Sequence, residues 1–129
     1  MQSPPAHRPL RVFLVENHLD SRLLLTLLME SIGCEVVCAA SKSEALAAIP
    51  LAHCDVLVSD IGLDDGNGWE LLEQLGDSAP SYAIAMSGFG MGSDLARSQA
   101  AGYRHHLVKP MGQEKLEGYL REAEAELIG

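Results

Sequence analysis

Asp55-Val56-Leu57-Val58-Ser59-Asp60 is the stretch on which the fold turns. From Val56 to Ser59 it is a continuous apolar run closed by a small residue, with an acid on either side. Such a run puts apolar side chains on both faces of a strand, so it reads as a central strand of a parallel sheet covered on both sides. Asp60 then stands where that strand ends. Working outward, Arg11-Val12-Phe13-Leu14-Val15 reads as the first strand and Glu35-Val36-Val37-Cys38-Ala39 as the second. Tyr82-Ala83-Ile84-Ala85-Met86, ended by Ser87-Gly88, is the fourth, and His105-His106-Leu107-Val108 is the fifth.

Helical patterns alternate with these runs. The first spans about His18 to Ile32, with Leu24, Leu27, Leu28 and Ile32 on one face and Gly33 as its stop. Ser41-Lys42-Ser43-Glu44 is a capping box for a helix ending at Pro50. A loop with Gly62, Gly66 and Gly68 leads to a short helix through Glu70, Leu71, Leu72 and Leu75. A weaker helix covers about Ser93 to Ala101, capped by Gly102, and the last carries Leu116, Tyr119, Leu120, Ala123 and Leu127 on one face. Alternating strands and helices predict an α/β fold, flavodoxin-like, in three layers: a (βα)5 chain with a five-stranded parallel sheet of order 2-1-3-4-5. Residues 1–10 read as a flexible lead-in and 11–129 as one domain, with no repeat, linker or second domain.

The chain has 129 residues, 47% of them hydrophobic and 5% aromatic, enough for one core built of Leu, Val, Ile and Ala. No apolar run approaches the ~20 residues a membrane span needs, and the first residues carry no secretory signal. The formal charge of −9, with scattered basic residues, excludes a phosphate-neutralising nucleic-acid surface. Cys34, Cys38 and Cys54 are odd in number and contain no C-x-x-C. The first two, placed in the second strand, lie roughly 13 Å apart and cannot bridge. A reducing, cytoplasmic setting follows.

The polar residues that matter fall at strand ends: Glu16 and Asn17, Asp60, Ser87 and Lys109. In open α/β sheets ligands bind beyond the carboxyl ends of the strands, where the strand order reverses, so these side chains converge. Two acids and an amide suit a hard cation such as Mg2+. A lysine and a hydroxyl suit phosphoryl oxygens, and a carboxylate can attack phosphorus to give an acyl phosphate. The bland readings stand beside these: Asn17 as a helix cap, Ser87 as turn chemistry, His106 as an ordinary strand residue. Gly88-Phe89-Gly90-Met91-Gly92-Ser93 lacks the G-x-G-x-x-G spacing and follows the fourth strand, so it is not read as a nucleotide loop. His18, His53 and His105 have no metal-ligand spacing with one another. The acids of the last helix, Glu114, Glu117, Glu122, Glu124 and Glu126, read as a solvated face.

From Arg11 to about Leu127 the chain resembles a receiver domain of two-component signalling. The motifs that carry the likeness are Leu14-Val15-Glu16-Asn17-His18, Asp55 to Asp60, Gly66-Asn67-Gly68, Ala85-Met86-Ser87-Gly88 and Leu107-Val108-Lys109-Pro110. The run Gly102 to Pro110 is most similar to receivers of hybrid sensor histidine kinases. The resemblance implies that Asp60 accepts a phosphoryl group from a phosphohistidine on a sensor histidine kinase or phosphotransfer protein. It further implies that Glu16, Asn17, Asp60 and the Gly62 carbonyl serve Mg2+, that Ser87 and Lys109 engage the phosphoryl group, and that the Lys109–Pro110 bond is cis. Such a domain is a phosphoacceptor rather than an enzyme, does not itself touch nucleic acid or membrane, and signals or dimerises through the fourth helix, fifth strand and last helix.

Three positions depart from the family pattern. Asn17 stands where an aspartate usually binds the metal, which predicts weaker Mg2+ binding, or a pseudo-receiver that takes no phosphoryl group. His106 occupies the position of a Tyr or Phe that swings inward on activation, and Asp64 replaces a common proline. Phe89 and Gly62 lie at positions that tune loss of the phosphoryl group, and an apolar Phe89 predicts a longer-lived phosphorylated state.

Overall fold

The computed structural model describes residues 8–88, 92–109 and 112–128. Its main sheet has β1 (Arg11–Val15), β2 (Glu35–Ala39), β3 (Val56–Asp60), β4 (Tyr82–Ser87) and β5 (His105–Val108), all parallel, in the order β2-β1-β3-β4-β5. The expected fold is therefore the observed one. β3 and β4 are buried along their whole lengths, as an apolar run without alternation requires. Five helices cover the sheet: α1 (Leu19–Ser31), α2 (Lys42–Ala52), α3 (Gly68–Leu75), α4 (Gly92–Ala101) and α5 (Gln113–Leu127).

Alternation along the strands separates two cores. Val12, Leu14, Val56, Val58, Ile84, Met86 and Leu107 face α1 and α5, meeting Leu25, Met29, Leu116, Leu120 and Ala123. Phe13, Val15, Leu57, Ala83 and Ala85 face the other way, toward Ala45 and Ile49 of α2 and Leu71, Leu72 and Leu75 of α3. The chain is already fastened before β1, since Leu10 is buried and Arg8 pairs with Asp55 at 2.7 Å; these two belong to the expected lead-in.

Several local expectations need correction. The buried face of α1 is Leu25 and Met29 with Leu28 and Ile32 packed beside them, whereas Leu24 and Leu27 are 68% and 64% exposed. α2 runs past Pro50 to Ala52, and His53 closes it in the left-handed region at φ 53°. Its cap is not a closed box: the Ser41 hydroxyl accepts from the Glu44 amide, but the Glu44 carboxylate accepts from the amide of Ala40. The reciprocal box is at α3, between Asn67 and Glu70. Gly62–Leu63 pairs antiparallel with Gly66–Asn67 in a short hairpin that replaces the expected loop. Cys34 precedes β2 rather than lying in it, and all three cysteines are free. The acidic face of α5 is solvated as expected, with Glu114, Glu122, Glu124 and Glu126 exposed; Glu117, Glu122 and Glu126 also pair there with Arg121, with His105 and Tyr82, and with Arg104. The expectations on Phe89 and on the Lys109–Pro110 bond lie outside the described residues.

The α1 correction has a measurable outcome. Leu25→Ala or Met29→Ala costs about 2–5 kcal/mol, while Leu24→Ser and Leu27→Ser stay within about 0.5 kcal/mol, read by urea unfolding.

Candidate functional site

The parallel order brings the carboxyl ends of β1, β3, β4 and β5 to one edge of the sheet. Glu16 follows β1, Asp60 closes β3, Ser87 closes β4 and Lys109 follows β5. The Lys109 ammonium donates to Glu16 Oε1 at 2.6 Å and to Asp60 Oδ2 at 2.8 Å. Its own amide donates to the Ser87 carbonyl at 2.7 Å, which ties the end of β5 to that of β4. The Gly62 amide holds the other Asp60 oxygen at 3.1 Å. Glu16 Oε2 accepts from the His18 amide at 3.0 Å, with the His18 ring nitrogen 3.3 Å away. Gly68 makes this packing possible, because a Cβ there would lie 2.7 Å from the Asp60 carbonyl oxygen.

Both carboxylates are nearly shut off from water, Glu16 at 0% and Asp60 at 5% exposure. Burial pushes each toward its neutral form. For Glu16, Lys109 and the His18 amide outweigh burial and hold the carboxyl below its ordinary range. For Asp60 burial prevails over Lys109 and the Gly62 amide, helped by the charge of Glu16, and its carboxyl lies above the ordinary range. Lys109 is raised: burial opposes its charge, but both carboxylates favour it more.

The Asn17 amide group donates to Asp64 Oδ1 at 3.0 Å, and its carbonyl oxygen is buried without a partner among the described residues. Because Asp64 can only accept, it fixes which end of the amide is which. Asp64, a departure with no evident role in the sequence, thus orients Asn17. An unpaired amide oxygen and two carboxylates at the strand ends are oxygen donors, the type that fits a hard divalent cation. Ligand atoms of Glu16, His18 and Asp60 lie within 4.8 Å of one another. His18 is exposed and is better suited to holding Glu16 than to such an ion.

Ser87 is engaged on its other side. His106 lies between two hydroxyls, Nε2 at 2.8 Å from Ser87 Oγ and Nδ1 at 2.7 Å from Ser98 Oγ, and Trp69 Nε1 donates to Ser98 at 2.9 Å. His106 is thus a partly buried residue of the edge strand with both ring nitrogens hydrogen-bonded. Burial holds its pKa below the usual histidine range, with Asp94 pulling partly the other way. Ser98 and Trp69 were not singled out from sequence, and Asp64 was noted there only as a departure without a role. Nothing in their local spacing marks them, since each meets its partner across the fold.

The two carboxylates should affect stability oppositely. A raised Asp60 costs stability above its folded pKa, and the cost fades as pH falls through that pKa to the ordinary value. A depressed Glu16 contributes stability above its ordinary pKa, which is lost as pH falls. Asp60→Asn should raise Tm at about pH 7 and Glu16→Gln should lower it, both differences shrinking in thermal melts at about pH 4.

Comparison with known proteins bears on this arrangement. The family model described as "Response regulator receiver domain" matches residues 12–121. The virulence sensor protein BvgS of Bordetella bronchiseptica is 32% identical over 124 residues, covering 90% of this chain and 10% of that protein. The chain thus spans about a tenth of that relative. The KDP operon transcriptional regulatory protein KdpE of Escherichia coli is 30% identical over 112 residues, 87% of this chain and 50% of that protein. A crystal structure of a two-component response regulator from Clostridium difficile superposes with a TM-score of 0.86 over 92% of this chain and 98% of its own; at 19% identity it speaks to fold alone. With most of its length matched, this chain belongs to the response regulator receiver domain family.

Proposed function

We propose that this receiver domain takes a phosphoryl group from a phosphohistidine onto Asp60 in a two-component phosphorelay. The observation that carries the reading is the Lys109 ammonium held between two buried carboxylates at the strand ends. An Asp60 oxygen attacks phosphorus and a P–O bond forms. The P–N bond breaks, and its electron pair returns to the imidazole of the donor. Lys109, already within reach of Asp60, gains phosphoryl oxygens as further partners, and Ser87 at the neighbouring strand end donates a hydrogen bond.

With Glu16 and Asp60 ionised and Lys109 charged, the site carries one net negative charge, which opposes an incoming phosphate. Mg2+, when bound, would supply the positive charge that offsets this. Glu16, Asn17 Oδ1, Asp60 and the Gly62 carbonyl are the groups that would hold it. The donor is a sensor histidine kinase or a histidine phosphotransfer protein. The groove between α1 and α5, lined by Ser21, Leu24, Leu28, Gln113 and Lys109, opens beside the site and suits an apolar helical partner. Output leaves through the face of α4, β5 and α5, which could also pair two copies. The setting is cytoplasmic; among the described residues no helix is long and apolar enough to cross a membrane.

Asn17 favours one rival reading, a pseudo-receiver that binds partners without taking a phosphoryl group. Acetyl phosphate with Mg2+ separates the two. Intact-protein mass spectrometry should show one phosphoryl group added, lost in Asp60→Ala and released by hydroxylamine. Lys109→Ala should slow its formation by about a hundredfold. No added mass at any Mg2+ concentration would leave the pseudo-receiver. Asn17→Asp should tighten Mg2+ binding by isothermal titration, because it restores a formal charge to the donor set.

A further inference from the structure

The chain Trp69–Ser98–His106–Ser87 has a direction that its own hydrogen-bond inventory fixes. Trp69 Nε1 can only donate, so Ser98 Oγ accepts from it. Ser98 is 1% exposed, and the partners it has among the described residues are Trp69 and His106. Trp69 offers no acceptor, so the Ser98 proton goes to His106 Nδ1. A neutral imidazole that accepts at Nδ1 carries its hydrogen on Nε2. His106 Nε2 must then donate to Ser87 Oγ, 2.8 Å away. Ser87 receives a hydrogen bond from behind and keeps its own O–H for an acceptor on the side of the strand ends. Either direction leaves one hydroxyl proton without a partner among the described residues; here it is that of Ser87, at a strand end bordering the site, rather than that of Ser98, which is 1% exposed and held between Trp69 and His106, where an unpaired proton costs more.

We propose that His106, held by Ser98 and Trp69 as the neutral Nε2–H tautomer, is a positioning residue that turns the Ser87 hydroxyl outward as a hydrogen-bond donor to a group on Asp60. This deepens the phosphoacceptor reading and rests on it for the identity of that group. The relay reaches from the start of α3 through α4 to the end of β4, so the two helices on that side of the sheet are mechanically coupled to Ser87. Protonating His106 would put a hydrogen on Nδ1 as well. Ser98 would then face two donors with its own proton stranded, and the relay would break. The groups facing the ring are consistent with neutrality. Asp94 of α4 favours a proton but burial opposes it. β4 brings Ala85 and Ser87, and α3 brings Trp69, whose face is covered by the Arg97 guanidinium of α4 at 4.1 Å. α5 packs on the opposite side of the sheet.

The decisive measurement is the tautomer, read from imidazole nitrogen and carbon-bound proton shifts of 15N-labelled, unphosphorylated full-length chain. The expected result is Nε2–H with an unprotonated Nδ1, persisting to a pH below that at which an exposed histidine charges, and lost in Ser98→Ala. An Nδ1–H tautomer, or an imidazolium at neutral pH, would overturn the proposal. The second arm is the rate of phosphoryl gain from acetyl phosphate with Mg2+. Ser98→Ala and His106→Phe should each slow it about three- to tenfold, the worth of one hydrogen bond. Ser98→Thr, which keeps the hydroxyl, should restore the wild-type rate. The wild-type rate should fall as pH drops through the His106 titration, and His106→Phe should abolish that fall. Wild-type rates in Ser98→Ala with the tautomer intact would also count against the relay. If the wild-type chain takes no phosphoryl group, the phosphoacceptor reading fails, and the tautomer alone decides the orientation of Ser87.

Discussion

The ammonium of Lys109 sits between two carboxylates that have almost no contact with water, and each of the three would be costly in that place alone. An unpaired buried acid would neutralise itself, and an unpaired buried lysine would do the same. Together they stay charged, with Glu16 taking the larger share of the stabilisation and Asp60 left the less comfortable partner. The residues come from three strand ends separated by much of the sequence. Only the order β2-β1-β3-β4-β5 makes them neighbours, since β3 must lie between β1 and β4. The short links that fasten the strand ends, from Lys109 N to Ser87 O and from Ile61 N to Met86 O, set the distance across which the lysine reaches.

The sheet also divides what the site can communicate with. On one side, α1 and α5 pack on aliphatic strand residues, and α1 leaves Leu19, Leu23, Leu24 and Leu27 exposed, Leu24 lining the groove that Lys109 borders. On the other, polar groups replace part of that packing, and Trp69, Ser98 and His106 lead inward to Ser87.

The fold was legible because its deciding features are local. The run Val56 to Ser59 has no polar interruption, and the strand-end residues announce themselves by breaking apolar runs at Glu16, Asp60, Ser87 and Lys109. The face of α1 was misread for an equally local reason. Leucine occupies so many of its positions that two stripes fit a helical period, one through Leu24 and Leu27 and one through Leu25 and Met29. Only the sheet beneath selects between them. Pro50 marks an end that the helix passes by two residues, because a closing turn at His53 in the left-handed region sets the boundary instead. Asp64 and Ser98 were beyond reach of spacing, each being defined by a partner 47 or 8 residues away across a turn of the fold.

Asn17 and Asp64 form a pair in which an amide beside Glu16 in sequence meets a carboxylate of the hairpin. Their contact makes the two positions interdependent in space. A carboxylate restored at 17 while Asp64 remains would set like charges against each other at hydrogen-bond distance, a conflict a bound cation would have to relieve. Proline at 64 alone, the family's common choice, would leave the Asn17 amide without its acceptor. The two side chains are therefore coupled, and a change at either one alters the contacts of the other.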